Sequence, residues 1–165
     1  MVNPETDSQR PAGPGAAQRS PARPSNALRW LPLIMLGGAV GTAVRAGLES
    51  QFPPPPSGVP WTTLAINLVG SFVLGLLLET LSEAGADRGA LRAARLTLGT
   101  GLLGGFTTYS TFVVEVADRL RSGHLALGVG YLVVSVTVGL GAAGLGMLIA
   151  SRLHLTRQNR PGGIT

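Results

Sequence analysis

The stretch that decides the fold is Gly104-Gly105-Phe106-Thr107-Thr108-Tyr109-Ser110-Thr111-Phe112, which lies inside an apolar segment running from about Leu91 to Leu120. Each glycine disfavours a helix interior by about 1 kcal/mol relative to alanine. The hydroxyl side chains that follow the glycines can satisfy backbone groups freed by a break. We therefore predict a break near residues 104–108 that exposes backbone carbonyls, and such carbonyls at membrane depth suit a cation. A simple glycine kink is the alternative.

Three further apolar segments surround this one, at residues 30–48, 61–81 and 125–151. A helix needs about 20 mostly apolar residues to cross a bilayer, and all four segments are long enough. Charged residues make up 13% of the chain, against about 25% in soluble domains. The sequence thus predicts an all-α integral membrane protein with four transmembrane helices, the third broken near its middle.

Small residues recur at four-residue spacing in every apolar segment. In lipid, such pairs allow helix backbones to approach closely, because packing drives the association of membrane helices. We therefore expect a tight helical bundle or a dimer. The pairs are Gly37 with Gly41, Ser71 with Gly75, Gly101 with Gly105, and Ala142 with Gly146.

The two ends of the chain differ in composition from its centre. Residues 1–28 are rich in proline and arginine and are predicted to be a disordered tail. Residues 29–152 form the predicted transmembrane domain, and residues 153–165 a C-terminal tail. The absence of cysteine excludes disulfides and thiolate metal sites.

The thirteen arginines, with no lysine, flank the apolar segments. Binding the phosphates of a nucleic acid needs positive charges that lie together on one face of the protein. This spacing therefore points to a lipid bilayer as the partner and not to nucleic acid. Ten arginines lie on one side of the predicted bundle and three on the other. The positive-inside rule then places both termini of a multi-pass cell-membrane protein in the cytoplasm. The ten are Arg10, Arg19, Arg23, Arg29, Arg88, Arg92, Arg95, Arg152, Arg157 and Arg160, and the three are Arg45, Arg119 and Arg121.

Few polar side chains lie at membrane depth, and these are the candidate functional groups. The amide of Asn67 is either a helix–helix hydrogen bond or a donor for a passing anion. Tyr109 and Phe112 share a helix face, where they either pack or present their positive ring edges to an anion. Ser135 and Thr137 lie in an otherwise aliphatic run, as bundle hydrogen bonds or as steps on a polar track.

Several functions are disfavoured by what the apolar segments lack. No acidic residue lies centrally in any of them, which disfavours the runner-up function, a small four-helix multidrug or cation exporter. Glu79 and Glu115 lie towards segment ends, where we expect them to be solvated. The sequence shows no Ser/His/Asp set at membrane depth, so we expect no enzyme. A membrane scaffold would explain the glycines but not the clustered hydroxyls and Asn67.

Three blocks of this sequence resemble the fluoride ion channels of the Fluc (CrcB) type. They are Gly37-Gly38-Ala39-Val40-Gly41-Thr42-Ala43-Val44-Arg45, Asn67-Leu68-Val69-Gly70-Ser71-Phe72, and the stretch 104–112. The blocks occur in the family's order and spacing, and the resemblance covers about residues 33–150. It implies a double-barrelled channel made of two antiparallel subunits, which exports cytoplasmic fluoride passively and so reduces its toxicity.

The resemblance also implies roles for individual residues. A structural Na⁺ at the dimer centre would be bound by the backbone carbonyls of Gly104 and Thr107. Arg45 would lie near the pore vestibule, and Glu115 near the pathway. The fluoride pathway would include Asn67, Tyr109, Phe112, Ser110 or Thr111, and Ser135 or Thr137.

The chain departs from the family pattern in two respects. Position 109 is Tyr where the family mostly has Phe, which adds a hydroxyl to a pore aromatic. The arginine imbalance also conflicts with a homodimer of antiparallel subunits, since that requires insertion in both orientations. Either the chain pairs with a second, oppositely oriented homologous subunit, or insertion ignores the arginine-rich tail and a homodimer forms.

Overall fold

The computed structural model describes residues 26–55 and 58–158, and within these ranges the chain is helical with no strand. A short 3₁₀ helix, Asn26–Trp30, leads into the first long helix. Residues 89–106 form one helical stretch with three parts, of which the middle part is a π-helix. The elements in order are α1 (Leu31–Gln51), α2 (Trp61–Glu83), α3 (Gly89–Ala94), the π-helix (Arg95–Leu103), α4 (Gly104–Phe106), α5 (Ser110–Arg121) and α6 (Leu125–Gln158).

The predicted break is confirmed, but it lies just after the two glycines. Thr107 is extended, with φ −75° and ψ 155°, and the helix resumes at Ser110. Gly104 and Gly105 remain helical, and Gly105 packs closely against α1. A Cβ atom on Gly105 would lie 3.0 Å from the Thr42 hydroxyl.

Three helices are long and apolar enough to cross a membrane: Leu28–Gln51, Trp61–Glu83 and Leu125–Thr156. The third apolar segment is not among them, because the break divides it. Many large apolar side chains on α1 and α6 are exposed on the chain, including Leu36 (62%) and Leu140 (71%). A surface of this kind suits lipid or another membrane chain, so the chain is an all-helical membrane protein.

The small-residue pairs lie at helix contacts within the chain. Gly41 of α1 meets the end of the π-helix at Leu102 and also α4, where a Cβ atom would lie 2.8 Å from the Phe106 nitrogen. Gly146 of α6 meets α2, where a Cβ atom would lie 2.8 Å from the Leu76 nitrogen. The backbones approach as the spacing predicts, and they fix α1 against the first half of the broken helix and α2 against α6.

Helices extend into both predicted tails. Residues 26–28, predicted as the end of the N-terminal tail, lie in the 3₁₀ helix, and residues 153–158, predicted as part of the C-terminal tail, continue α6. Residues 1–25, 56–57 and 159–165 lie outside the described ranges. Arg119, counted above with Arg121 among the arginines that flank the apolar segments, belongs to α5 and is only 6% exposed. Gly123, with φ +80°, follows this helix, and the His124 N–H donates to the Arg119 carbonyl at 2.9 Å.

Candidate functional site

Asn67 bridges α2 to the break through both ends of its amide. Its Nδ2 donates to the carbonyl of Thr108 at 2.9 Å, and its Oδ1 accepts from the backbone N–H of Thr108 at 2.8 Å. The side chain therefore replaces the helical hydrogen bonds that Thr108 loses at the break. Of the two roles that the sequence left open for Asn67, this is the hydrogen bond between helices. The second Nδ2 hydrogen has no partner among the described residues and could still serve as a donor.

The hydroxyl groups after the break form hydrogen bonds with one another and with the first turn of α5. Thr108 Oγ1 accepts from the N–H of Thr111 at 3.2 Å, which is the geometry of a helix cap. The same hydroxyl lies 3.3 Å from Ser110 Oγ and donates to Thr111 Oγ1 at 3.1 Å. The hydroxyl groups of Ser110 and Thr111 thus hold the Thr108 hydroxyl in place by hydrogen bonds.

The break leaves backbone carbonyls without hydrogen-bond donors. In the described ranges, no group donates to the carbonyl of Gly104, Phe106 or Thr107, whereas that of Gly105 accepts from two α1 side chains. Two of the free carbonyls are those that the resemblance assigns to Na⁺. Neutral carbonyl oxygens are suitable ligands for a hard cation, so these residues fit the group.

Four of the predicted pathway residues line one cavity of about 310 Å³ between α2, the break and α6. None of its lining residues is charged. Ser135 contributes a hydroxyl that is enclosed and has no hydrogen-bond partner of good geometry among the described residues. The lining residues are Asn67, Ser71, Leu74, Thr107, Thr108, Tyr109, Phe112, Ser135 and Val136.

The aromatic pair occupies one wall of this cavity. The Tyr109 and Phe112 ring centroids lie 6.4 Å apart with the rings tilted by 47°. Phe112 is buried against Tyr131, at 5.3 Å, whereas Tyr109 is 79% exposed. A tyrosine so exposed in an apolar segment marks a surface that another part of a membrane assembly can cover.

A buried polar cluster lies one turn beyond Phe112, and it overturns the expectation that Glu115 is solvated. Glu115 is 6% exposed. One carboxylate oxygen accepts from the Thr63 hydroxyl at 2.7 Å, and the other from the Tyr131 hydroxyl at 2.9 Å. The carboxylate is buried because neighbouring helices supply both donors that it needs.

Arg119 completes this cluster from the next turn of α5. Its Nη1 donates to the Glu115 carbonyl at 2.8 Å, while Nε and Nη2 donate to the Gly58 carbonyl at 3.1 and 2.7 Å. Its guanidinium also lies 6.0 Å from the centre of the Tyr131 ring. Arg119 therefore ties the connection before α2 to the end of α5.

Four of the predicted pathway residues do not line the cavity: Ser110 and Thr111, which contact Thr108, and also Thr137 and Arg45. Thr137 is exposed and returns its hydroxyl to the carbonyls of Val133 and Val134, at 2.8 and 3.2 Å. Arg45 is half-buried on α1, with Nε 3.3 Å from the Gly105 carbonyl and Nη1 3.0 Å from Glu49.

Sequence reasoning missed the polar face of α2. Thr63, Asn67 and Ser71 are spaced by four residues and thus share one side of the helix. That spacing was the available signal, because it aligns a hydroxyl, an amide and a second hydroxyl towards the break and Glu115. Tyr131 and Ser135, four residues apart on α6, give the matching signal on the opposite wall.

Comparison with known proteins supports the same family as the sequence blocks. The family model described as "CrcB-like protein, Camphor Resistance (CrcB)" matches residues 32–147. A protein of Cutibacterium acnes named fluoride-specific ion channel FluC 1 is 55% identical over 107 residues, covering 65% of this chain and 75% of the relative. FluC 2 of Leifsonia xyli is 39% identical over 129 residues (78% and 88%), and FluC 1 of Mycobacterium bovis is 38% identical over 135 residues (81% and 99%). This chain belongs to the CrcB (FluC) family of ion channels.

Proposed function

We propose that this protein is a fluoride-selective ion channel that exports cytoplasmic fluoride passively across the cell membrane and so reduces its toxicity. The observation that carries the proposal is the uncharged cavity beside the helix break, which neutral hydrogen-bond donors line. The names of the relatives support the choice of ion. The third apolar segment, although its helix is broken, would also cross the membrane, so the chain would cross it four times.

The cavity offers what a small, strongly hydrated anion needs. Entry requires groups that replace water, and the second Nδ2 hydrogen of Asn67 and the Ser135 hydroxyl are available donors. The edge of the Phe112 ring adds a positive partial charge. The lining holds no full positive charge that would trap fluoride, and no acid that a proton-coupled cation exporter would use.

The break would hold a structural, non-transported Na⁺ on the carbonyls of Gly104 and Thr107. When bound, the ion would supply positive charge to carbonyls that otherwise have no donor at membrane depth. Gly104 and Tyr109 are both exposed on this chain. An antiparallel second subunit would cover this surface and add its own carbonyls to the ion.

The proposed channel is tested by ion efflux from liposomes. Purified protein is reconstituted into vesicles loaded with fluoride or chloride, and release is followed with ion-selective electrodes. We expect rapid fluoride efflux and chloride efflux no faster than in protein-free vesicles, because the cavity's donors match the smaller ion. Equal efflux of both anions, or of neither, would contradict the proposal.

The need for a second kind of subunit is tested by measuring the orientation of this chain in the membrane. With ten arginines on one side and three on the other, we expect most copies to insert with both termini in the cytoplasm. An oppositely oriented homologous subunit would then complete the dimer. Reporter enzymes fused to the C-terminus, one active only in the cytoplasm and one only outside it, measure the ratio. Comparable activity of both reporters would favour the homodimer instead.

A further inference from the structure

Two side chains of α1 hold the carbonyl of Gly105. Arg45 Nε lies 3.3 Å from this oxygen and Thr42 Oγ1 lies 3.4 Å from it. Gly105 follows directly after Gly104, whose carbonyl has no donor among the described residues. Because neighbouring peptide planes share a Cα atom, an anchor on the Gly105 carbonyl restricts the direction of the Gly104 carbonyl too.

A guanidinium this close to a cation site would normally weaken cation binding by repulsion. Here the charge is compensated within α1, because Arg45 Nη1 lies 3.0 Å from the Glu49 carboxylate. The two side chains are 21% and 23% exposed, so solvent screens the pair only partly. The second Glu49 oxygen, Oε1, is enclosed and has no hydrogen-bond partner among the described residues.

We infer that Arg45 and Glu49 form a charge-compensated positioning pair that orients the carbonyls of the helix break and thereby sets the affinity of the cation site. Arg45 acts through Gly105, and Glu49 cancels the charge that Arg45 brings. Arg45 is thus assigned to the cation site, because its Nε donates to the Gly105 carbonyl and its Nη1 to Glu49. This inference rests on the sodium site of the proposed function.

The test measures how much Na⁺ is needed to stabilise the protein. The thermal unfolding midpoint of purified protein in detergent is recorded against Na⁺ concentration, with N-methyl-D-glucamine as the replacing cation. The double variant Arg45→Gln/Glu49→Gln keeps the net charge, so it isolates positioning from electrostatics. We expect about a tenfold rise in the half-stabilising Na⁺ concentration, equivalent to the loss of one hydrogen bond to a charged group.

The single variant Glu49→Gln tests charge compensation. It leaves the Arg45 guanidinium uncompensated beside the site, so the half-stabilising Na⁺ concentration should rise more than in the double variant. Arg152→Gln is the control for loss of an arginine. Arg152 is exposed on α6, and its replacement should leave the Na⁺ dependence within twofold of the wild type.

Two results would overturn the inference. One is a Na⁺ dependence in the double variant within twofold of the wild type. The other is a wild-type protein whose unfolding midpoint does not respond to Na⁺, because the pair would then have no cation site to serve. Fluoride efflux from wild-type vesicles, measured in parallel, separates this failure from a failure of the channel itself.

Discussion

Asn67→Asp is expected to reduce fluoride efflux at least about a hundredfold and also to destabilise the helix break. A carboxylate would replace the Nδ2 donor that now meets the Thr108 carbonyl at 2.9 Å, so two oxygens would face each other. Losing a buried hydrogen bond and leaving its acceptor unpaired costs about 1–3 kcal/mol. The negative charge would also repel fluoride in a medium of low dielectric constant, where about 2.7 kcal/mol suffices for a hundredfold change in rate.

Efflux from vesicles and thermal unfolding in detergent measure the two effects separately. The matched control is Ser71→Ala, one turn further along α2 on the wall of the same cavity. The described residues give Ser71 no hydrogen-bond partner, so its truncation should leave the unfolding midpoint nearly unchanged. If Asn67→Asp kept wild-type efflux, Asn67 would not lie on the anion pathway; if it kept wild-type stability, the Thr108 contact would not support the break.

The sequence was sufficient to predict those features of the fold that depend on local chemistry. Apolar runs of sufficient length gave α1, α2 and α6, and the hydroxyl-rich stretch after Gly105 gave the break. The break begins at Thr107, after the two glycines, because a glycine can stay helical where a neighbouring helix packs against its backbone. Gly105 packs against α1, and this contact holds it in a helical conformation despite its low propensity.

The part of the site that local sequence could not predict consists of contacts between distant segments. Asn67 meets the backbone of Thr108, and Thr63 meets Glu115, across 41 and 52 residues of sequence. Position along an apolar segment indicated that Glu115 would be solvated, and this was wrong because its two donors come from α2 and α6. A buried carboxylate is recognisable only once its partners are known.

Arg119 shows the same limit for a positive charge. Its place near the end of the third segment resembles that of an ordinary flanking arginine, and from the sequence alone it counts as one. In the structure it is buried on α5 and bonded to two carbonyls, those of Gly58 and Glu115. Of the three arginines on that side, only Arg121 is exposed.

Arg119→Leu is expected to lower the free energy of unfolding by about 3 kcal/mol or more. The change would leave the Gly58 carbonyl without its two donors, and it would leave the buried carboxylate of Glu115 without a nearby positive charge. Leaving a buried charge uncompensated costs several kcal/mol, about 3–5 kcal/mol where a direct ion pair is broken. For a chain of this size the midpoint of thermal unfolding should fall by about 10 °C, measured on purified protein in detergent.

A double-mutant cycle with Glu115→Gln separates charge compensation from the loss of hydrogen bonds to Gly58. No ion pair joins Glu115 and Arg119 in the described part of the chain, so any coupling between them acts through space. When both charges are removed, no buried charge is left unbalanced. The double variant should then be more stable, by at least about 1 kcal/mol, than the sum of the single effects predicts.

Arg121→Leu is the matched control: the same substitution two residues away on the exposed face should change stability by no more than about 0.5 kcal/mol. Strictly additive effects would show that Arg119 acts only by fastening Gly58 to α5, and an equal loss in Arg121→Leu would show that the cost belongs to any arginine at this helix end.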